Sequence, residues 1–404
     1  MARTAQRLAI IGAITASIIG YLYHASNSDG IAQMSRVRGL TATMKIVHVI
    51  GTVAELFGIS DRVAVVRKFS SFARHAKDKK DDAGLAIEDT FIENIPVRIA
   101  RPLNNNGNLP AIVFFHGGAF YMGSVDTHNS ITSYLAREAN AVVISVDYRL
   151  APEYPFPAGV DDCYTVTKYV LDHGDSQKLR IDQNRVAIAG DSAGGNFAAV
   201  IAMRFASQSH HKHSPRIQIL IYPSLQFFDL MLPSYIQEHY QFFQYTADHT
   251  LSAYLNEKID PSVYSNNHLS VEQKKHYRKY VDWSLIPSKY RTVYKNPITD
   301  DQEGDPQLIE KAKKVLDPEV SPLLVDDQKL AKLMPTYILS VGHDRLRDCA
   351  FIYEGRLKRV HVPVVHDHYE HTFHGSIGFL NGPFALDIAH EMINGVVKYI
   401  KENL

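Results

Sequence analysis

Predominantly apolar runs of four to six residues recur along the chain, at 111–115, 141–146, 186–189, 217–222, 336–341 and 362–365. A strand that shows one face to water alternates apolar and polar residues, so runs like AIVFF at 111–115 mark strands covered on both faces. Helical stretches separate most of them, at 130–138, 159–172, 194–207 and 349–359, and a terminal helix is expected at 384–403. Alternating strands and helices predict a mostly parallel, doubly wound α/β sheet with helices on both faces. Two shorter strand-like runs, 87–91 and 96–100, precede the first core strand.

One interval breaks the alternation, an insertion from about 225 to 333, too long for a loop. It is crowded with aromatics, among them Tyr235, Tyr254, Tyr264, Tyr277, Tyr280, Tyr290 and Trp283. Such side chains combine large apolar area with a polar tip, which suits a helical cap facing both a substrate and water. A packed helical subdomain with half-buried tyrosines is the equal alternative. The domain reading is therefore a cap segment at 30–84 and a catalytic domain at 85–404 that carries the insertion.

The amino-terminal end adds a different constraint. Residues 8–25, LAIIGAITASIIGYLYHA, are eighteen residues without a formal charge, near the lower limit for a bilayer-spanning helix. Arg3 and Arg7 precede the run and no basic cluster follows it, so the positive-inside bias keeps residues 1–7 in the cytosol as a short tail. A single-pass signal anchor with its body on the luminal side of the endoplasmic reticulum is the expectation. A cleaved signal peptide is the competing reading, disfavoured because Tyr23 and His24 occupy positions where cleavage wants small residues. An interfacial helix is disfavoured by the absence of a charged face. No Asn-x-Ser/Thr acceptor occurs, so glycosylation adds nothing to the topology.

The chain has 404 residues, 45% hydrophobic and 21% charged, enough for one large core with accessory segments. Lys and Arg sum to 43 and Asp and Glu to 43, so no overall field draws the protein to nucleic acid. Only Cys163 and Cys349 occur, which excludes a disulfide framework, leaves at most a single bridge between them and favours two buried thiols.

Chemistry concentrates where expected strands end. Gly190-Asp191-Ser192-Ala193-Gly194 falls between the strand at 186–189 and a small-residue helix. Small flanking residues let strand and helix approach while a serine on a sharp, strained turn projects its Oγ, and the helix N-terminus adds partial positive charge. His116-Gly117-Gly118-Ala119-Phe120 follows the strand at 111–115 directly. Backbone N–H groups of Gly117, Gly118 and Ala119, with that of Ala193, could hold the negative oxygen of a tetrahedral intermediate. His-Gly-Gly alone is weak, but paired with the serine motif seventy-four residues after Gly118 it is specific.

These motifs resemble those of the hormone-sensitive-lipase family of α/β-hydrolases, and within it the arylacetamide deacetylase group. Asp147-Tyr148-Arg149-Leu150-Ala151-Pro152-Glu153, Ser192-Ala193-Gly194-Gly195-Asn196 and Ser321-Pro322-Leu323 carry the resemblance further, over about 91 to the C-terminus. It implies a serine esterase, lipase or deacetylase on an α/β-hydrolase fold under a helical cap. The third glycine of the family's His-Gly-Gly-Gly is Ala119 here, which still offers an N–H but adopts positive φ only at a cost. In this fold the order is nucleophile, acid, base, each at the carboxyl end of a strand. Gly342-His343-Asp344 after the strand at 336–341 resembles the acid loop, with Asp344 as acid, and strand proximity favours it over Asp348. His374-Gly375 matches the base position.

His366, His368 and His371 lie in the same segment as His374, HDHYEHTFHGSIGF, and raise the question of a metal site. Thiolates and a His-Glu-x-x-His helix, the usual companions of zinc histidines, are absent, so these histidines read as loop or surface residues. The expected reaction uses Ser192 as nucleophile, His374 as base and Asp344 as its orienting acid, without metal or organic cofactor. Small-molecule or lipid esters, acylglycerols and sterol esters among them, and arylacetamides are the expected substrates. A noncatalytic ligand-binding protein on the same fold is the alternative from another class, and the complete triad weighs against it.

Overall fold

The computed structural model describes residues 20, 30–60, 63–65, 67–68, 82–103, 107–176, 178–208, 212–237, 246–291 and 300–404. Apart from Gly20, the 8–25 run lies outside the described residues. Among the described residues no helix is long and apolar enough to cross a membrane.

After helix α1 (Met34–Leu56), strands β1 (Leu85–Ile92) and β2 (Ile95–Pro102) form an antiparallel hairpin. The core then alternates as β3 (Leu109–Phe115), α2 (Asn129–Glu138), β4 (Val142–Val146), α3 (Ala158–His173), β5 (Ile181–Asp191), α4 (Ala193–Ser207) and β6 (Ile217–Ile221). Past the insertion come β7 (Thr336–His343), α5 (Arg347–Arg359), β8 (Val364–Phe373) and α6 (Asp387–Asn403). The eight strands make one sheet in the order β1-β2-β4-β3-β5-β6-β7-β8, parallel from β4 to β8.

The apolar runs are covered on both sides, as a parallel sheet requires. In β3, Ala111, Val113 and Phe115 pack into one core with residues of α3, α4 and α5. Ile112 and Phe114 face the other way, into a core with residues of α1, α2 and α6. Cys163 and Cys349 are buried free thiols.

The insertion is a series of short helices, including Ala247–Leu255, Val271–Tyr277 and Ser288–Arg291. Tyr235, Tyr254 and Tyr290 are buried in the same core as the sheet. The Tyr254 ring stacks on Phe120 with centroids 3.9 Å apart, so the insertion bears directly on the loop after β3. Tyr240, Tyr245, Tyr294, Phe242 and Phe243 lie outside the described residues.

One strand differs from expectation. The sequence reads as a strand at 362–365 followed by a histidine-bearing loop, whereas β8 runs on to Phe373 and contains His366, His368 and His371. β8 is the edge of the sheet, where side chains need no apolar partner on both faces, and polar residues can continue the ladder.

Candidate active site

β5 ends at Asp191 and α4 begins at Ala193, which leaves Ser192 alone in the turn with φ 55° and ψ −115°. A non-glycine residue is strained there, and close packing holds it. A Cβ on Gly190 would stand 2.2 Å from the Gly194 carbonyl oxygen, and one on Gly194 would stand 1.9 Å from that of Phe115, so both positions demand glycine. The Ser192 N–H donates to the Ile221 carbonyl at 2.9 Å. Asn196, on the first turn of α4, donates from Nδ2 to the carbonyls of Ser224 at 2.8 Å and Val320 at 2.9 Å, fastening the chain after β6 to the elbow.

Strand register brings the other residues to the same edge. Phe115 pairs with Gly190, Asp191 with Ile221, Ile221 with Leu339, and His343 with Phe373. Asp344 and His374 follow the last pair directly. His374 Nδ1 lies 2.8 Å from Asp344 Oδ2, and His374 Nε2 lies 2.8 Å from Ser192 Oγ. The buried Asp344 also accepts the Leu346 N–H at 2.8 Å on Oδ1, which fixes the carboxylate plane. A carboxylate only accepts, so the imidazole proton belongs on Nδ1, and Nε2 is free to accept from the serine hydroxyl. Burial pulls the His374 pKa down, but the charge and hydrogen bond of Asp344, helped by Asp191, outweigh it and hold the pKa above the ordinary value. Asp348 is occupied elsewhere, accepting the Ser234 N–H at 2.7 Å and pairing with Arg347.

The loop after β3 carries three consecutive positive φ values, Gly118 at 134°, Ala119 at 53° and Phe120 at 67°. A Cβ on Gly118 would meet the Met122 carbonyl oxygen at 2.1 Å. Of the four N–H groups expected to face an oxyanion, that of Gly117 is committed, since it donates to Asp191 Oδ1 at 2.7 Å. Those of Gly118, Ala119 and Ala193 have no protein acceptor among the described residues.

Asp191 is a part of the site that the sequence motif contains but does not explain. Burial works to raise its pKa; the His128 ring 3.2 Å away, the Gly117 N–H and the nearby His116 outweigh that and hold the carboxyl below its ordinary range. Tyr148 stacks on the buried His116 with centroids 4.2 Å apart, and its hydroxyl donates to the His116 carbonyl at 2.7 Å. Arg149 of the same motif grips Asp162 with a bond from NH2 of 2.7 Å. The Asp147–Glu153 motif thus serves as a brace for the loop. No periodicity or spacing singles out His128.

The remaining histidines of the segment go to separate partners. Ser340 Oγ lies 2.7 Å from both His366 Nε2 and His368 Nδ1. His366 turns its other nitrogen to Glu354 at 2.8 Å, and His368 turns its own to the Tyr290 hydroxyl at 2.8 Å. His371 Nδ1 bonds the Gly30 carbonyl at 2.9 Å. Among the described residues no group of three or more His, Cys, Asp or Glu is placed to hold a metal ion.

Chemically, the arrangement can attack a carbonyl carbon with a serine hydroxyl whose proton passes to an imidazole, beside a turn rich in unused N–H donors. A family model described as alpha/beta hydrolase fold matches residues 112–274 and 289–378. Arylacetamide deacetylase of Bos taurus is 33% identical over 413 residues, covering 98% of this chain and 98% of that protein. Neutral cholesterol ester hydrolase 1 of Bos taurus is 31% identical over 381 residues, covering 90% and 91%. Among solved structures, an esterase of Pyrobaculum calidifontis superposes with a TM-score of 0.63 at 28% identity, covering 88% of this chain and 97% of that one. An esterase of Pseudomonas putida, 22% identical with a TM-score of 0.65 over 94% of this chain and 99% of its own, shares the fold.

Proposed function

The chain belongs to the α/β-hydrolase fold family and is a carboxylic ester hydrolase, and on that premise we propose that Ser192, His374 and Asp344 are its nucleophile, base and orienting acid. The observation that carries the assignment is the unbroken chain of two 2.8 Å contacts from Asp344 through His374 to Ser192 Oγ. Ser192 attacks the ester carbonyl as His374 takes its proton. His374 returns that proton to the leaving alcohol, and water resolves the acyl-enzyme by the same path. The N–H groups of Gly118, Ala119 and Ala193 are the proposed oxyanion donors, with Gly117 holding their loop from behind through Asp191.

The proposed substrates are lipophilic: arylacetamides, acylglycerols or sterol esters. The names of two relatives, an arylacetamide deacetylase and a neutral cholesterol ester hydrolase, support that range. The uncharged 8–25 run behind Arg3 and Arg7 supports a single-pass anchor with the catalytic body on the luminal side of the endoplasmic reticulum.

Two experiments test the reading. Ser192→Ala should abolish both ester hydrolysis and labelling by a fluorophosphonate probe while leaving the circular dichroism and melting transition of the folded protein in place. Retained labelling would remove Ser192 from its role. In sealed microsomes the body should resist added protease until detergent is present and should stay with the membrane through a carbonate wash. Protease sensitivity in intact vesicles would reverse the orientation, and a soluble form beginning near residue 29 would make the run a cleaved signal.

A further inference from the structure

Gly30 and Ala32 dock beside the candidate acid and base. His371 Nδ1 bonds the Gly30 carbonyl at 2.9 Å, and the Ala32 N–H donates to the His371 carbonyl at 2.8 Å. A Cβ on Gly30 would stand 3.6 Å from His343 Nε2. His371 is three residues before His374, and His343 immediately precedes Asp344, so Gly30 sits on the rim formed by the carboxyl ends of β7 and β8. Gly30 is also five residues past Ala25, the end of the uncharged run. Five residues reach at most about 18 Å when fully extended.

From that rim α1 carries an apolar surface on two sides. At 3.6 residues per turn, its buried Val37, Leu40, Thr41, Val47 and Gly51 lie on one side, with buried Ala42 on the other in the N-terminal half. Val49, Ile50, Val53 and Leu56 fall within an arc of about 120° on the other side. That second side is exposed, with Leu56 at 79% and Val49 and Ile50 at 55%, and it continues into Phe57 and Ile59, each at 76%. The chain then returns to the catalytic side. Arg67 donates from Nε to the Tyr121 carbonyl at 2.7 Å and from NH2 to that of Ala151 at 2.7 Å, in the loop that follows Ala119 and the segment against it. The exposed apolar surface is therefore flanked in sequence by two attachments to the same edge of the sheet.

A contiguous apolar surface of this kind marks an interaction site. We propose that the C-terminal end of α1, with Phe57 and Ile59, seats in the headgroup and acyl boundary of a lipid bilayer, so that the catalytic rim faces the membrane and takes its esters from the lipid phase. The occupant is a bilayer because the uncharged run ends within about 18 Å of chain from the rim. The inference rests on the proposed anchor, which tethers the rim, while the α1 surface supplies a second contact that orients it.

The test uses the full chain reconstituted in phosphatidylcholine vesicles. Since Cys163 and Cys349 are buried, Leu56→Cys, Phe57→Cys and Ile59→Cys can each be labelled with an environment-sensitive fluorophore, with Phe91→Cys on the exposed face of β1 as control. The three labels should shift to the blue and be quenched by doxyl lipids, and the Phe91 label should not. Labels at the three sites no more quenched than the control overturn the inference, and they do so with the anchor intact when carbonate leaves the protein in the membrane. Release by carbonate of protein whose labels had been quenched keeps the surface and removes the anchor. Shielding that needs no lipid and grows with protein concentration in detergent assigns the surface to a second copy and overturns the inference. In turnover, the triple variant L56S/F57S/I59S should lose at least about fivefold in kcat/KM on a long-chain diacylglycerol held in vesicles, with p-nitrophenyl acetate unchanged. Equal loss on both substrates would mean the residues serve the fold and not the membrane.

Discussion

Asp191 Oδ1 accepts the Gly117 N–H at 2.7 Å, a bond between the residue before the candidate nucleophile and the second residue of the loop that faces it. It ties two segments seventy-four residues apart, and the neighbouring His128 keeps the carboxylate charged within the protein. Asp191→Ala should free the loop and lower kcat by about 10- to 100-fold with KM little changed, because a donor that drifts is lost chiefly in the transition state. Asp191→Asn, which keeps an acceptor oxygen, should recover much of the loss. A rise in KM alone, with kcat intact, would assign the bond to substrate binding.

The two residues after Gly117 should respond in opposite directions. Gly118→Ala places a Cβ 2.1 Å from the Met122 carbonyl at φ 134°, so the loop must move, and esterase activity should fall by an amount equivalent to about 2.7–4 kcal/mol of barrier lowering. Ala119 already sits at φ 53°, where glycine is unstrained and alanine is not. Ala119→Gly should keep activity within a few-fold and raise stability by up to about 1 kcal/mol, while Ala119→Val should cost about 1–3 kcal/mol. Thermal melts beside steady-state rates separate the two effects.

The base should titrate above the ordinary histidine value of 6.5 in the free enzyme. Catalysis needs His374 neutral, so kcat/KM should rise with pH through an acidic limb displaced upward from that value. Asp344→Asn removes the main group that raises the pKa and leaves the burial that lowers it against the smaller pull of Asp191, so the limb should move to lower pH while the plateau falls by about 10⁴. A limb that stays in place in this variant would mean that the titrating group is not His374.

His366→Ala, His368→Ala and His371→Ala should each retain most activity, whereas His374→Ala should approach the serine variant. The first three bond Ser340, Glu354, Tyr290 and Gly30, not Ser192. EDTA should leave turnover unchanged, since each proposed step is a proton transfer or a covalent exchange at Ser192. Activity lost to chelation and restored by zinc would revive a metal role for this histidine segment.

What the sequence determined by itself was local or periodic. Double-sided apolar runs announce a covered parallel sheet because their signal lies within four to six neighbouring residues. The Gly190–Gly194 turn is equally legible, since its serine stands among small residues between adjacent strand and helix signals. Asp344 and His374 stand out as candidates from their positions after strand signals and from family resemblance, and the structure places His374 between Asp344 and Ser192. Tertiary structure alone decided the rest. That Gly117 spends its N–H on Asp191, that His128 stands beside that carboxylate and that Gly30 docks on His371 all depend on contacts between residues far apart in the chain. β8 runs through His366, His368 and His371 because an edge strand is held by its ladder to β7, and backbone hydrogen bonds leave no trace in the hydropathy of the residues that make them.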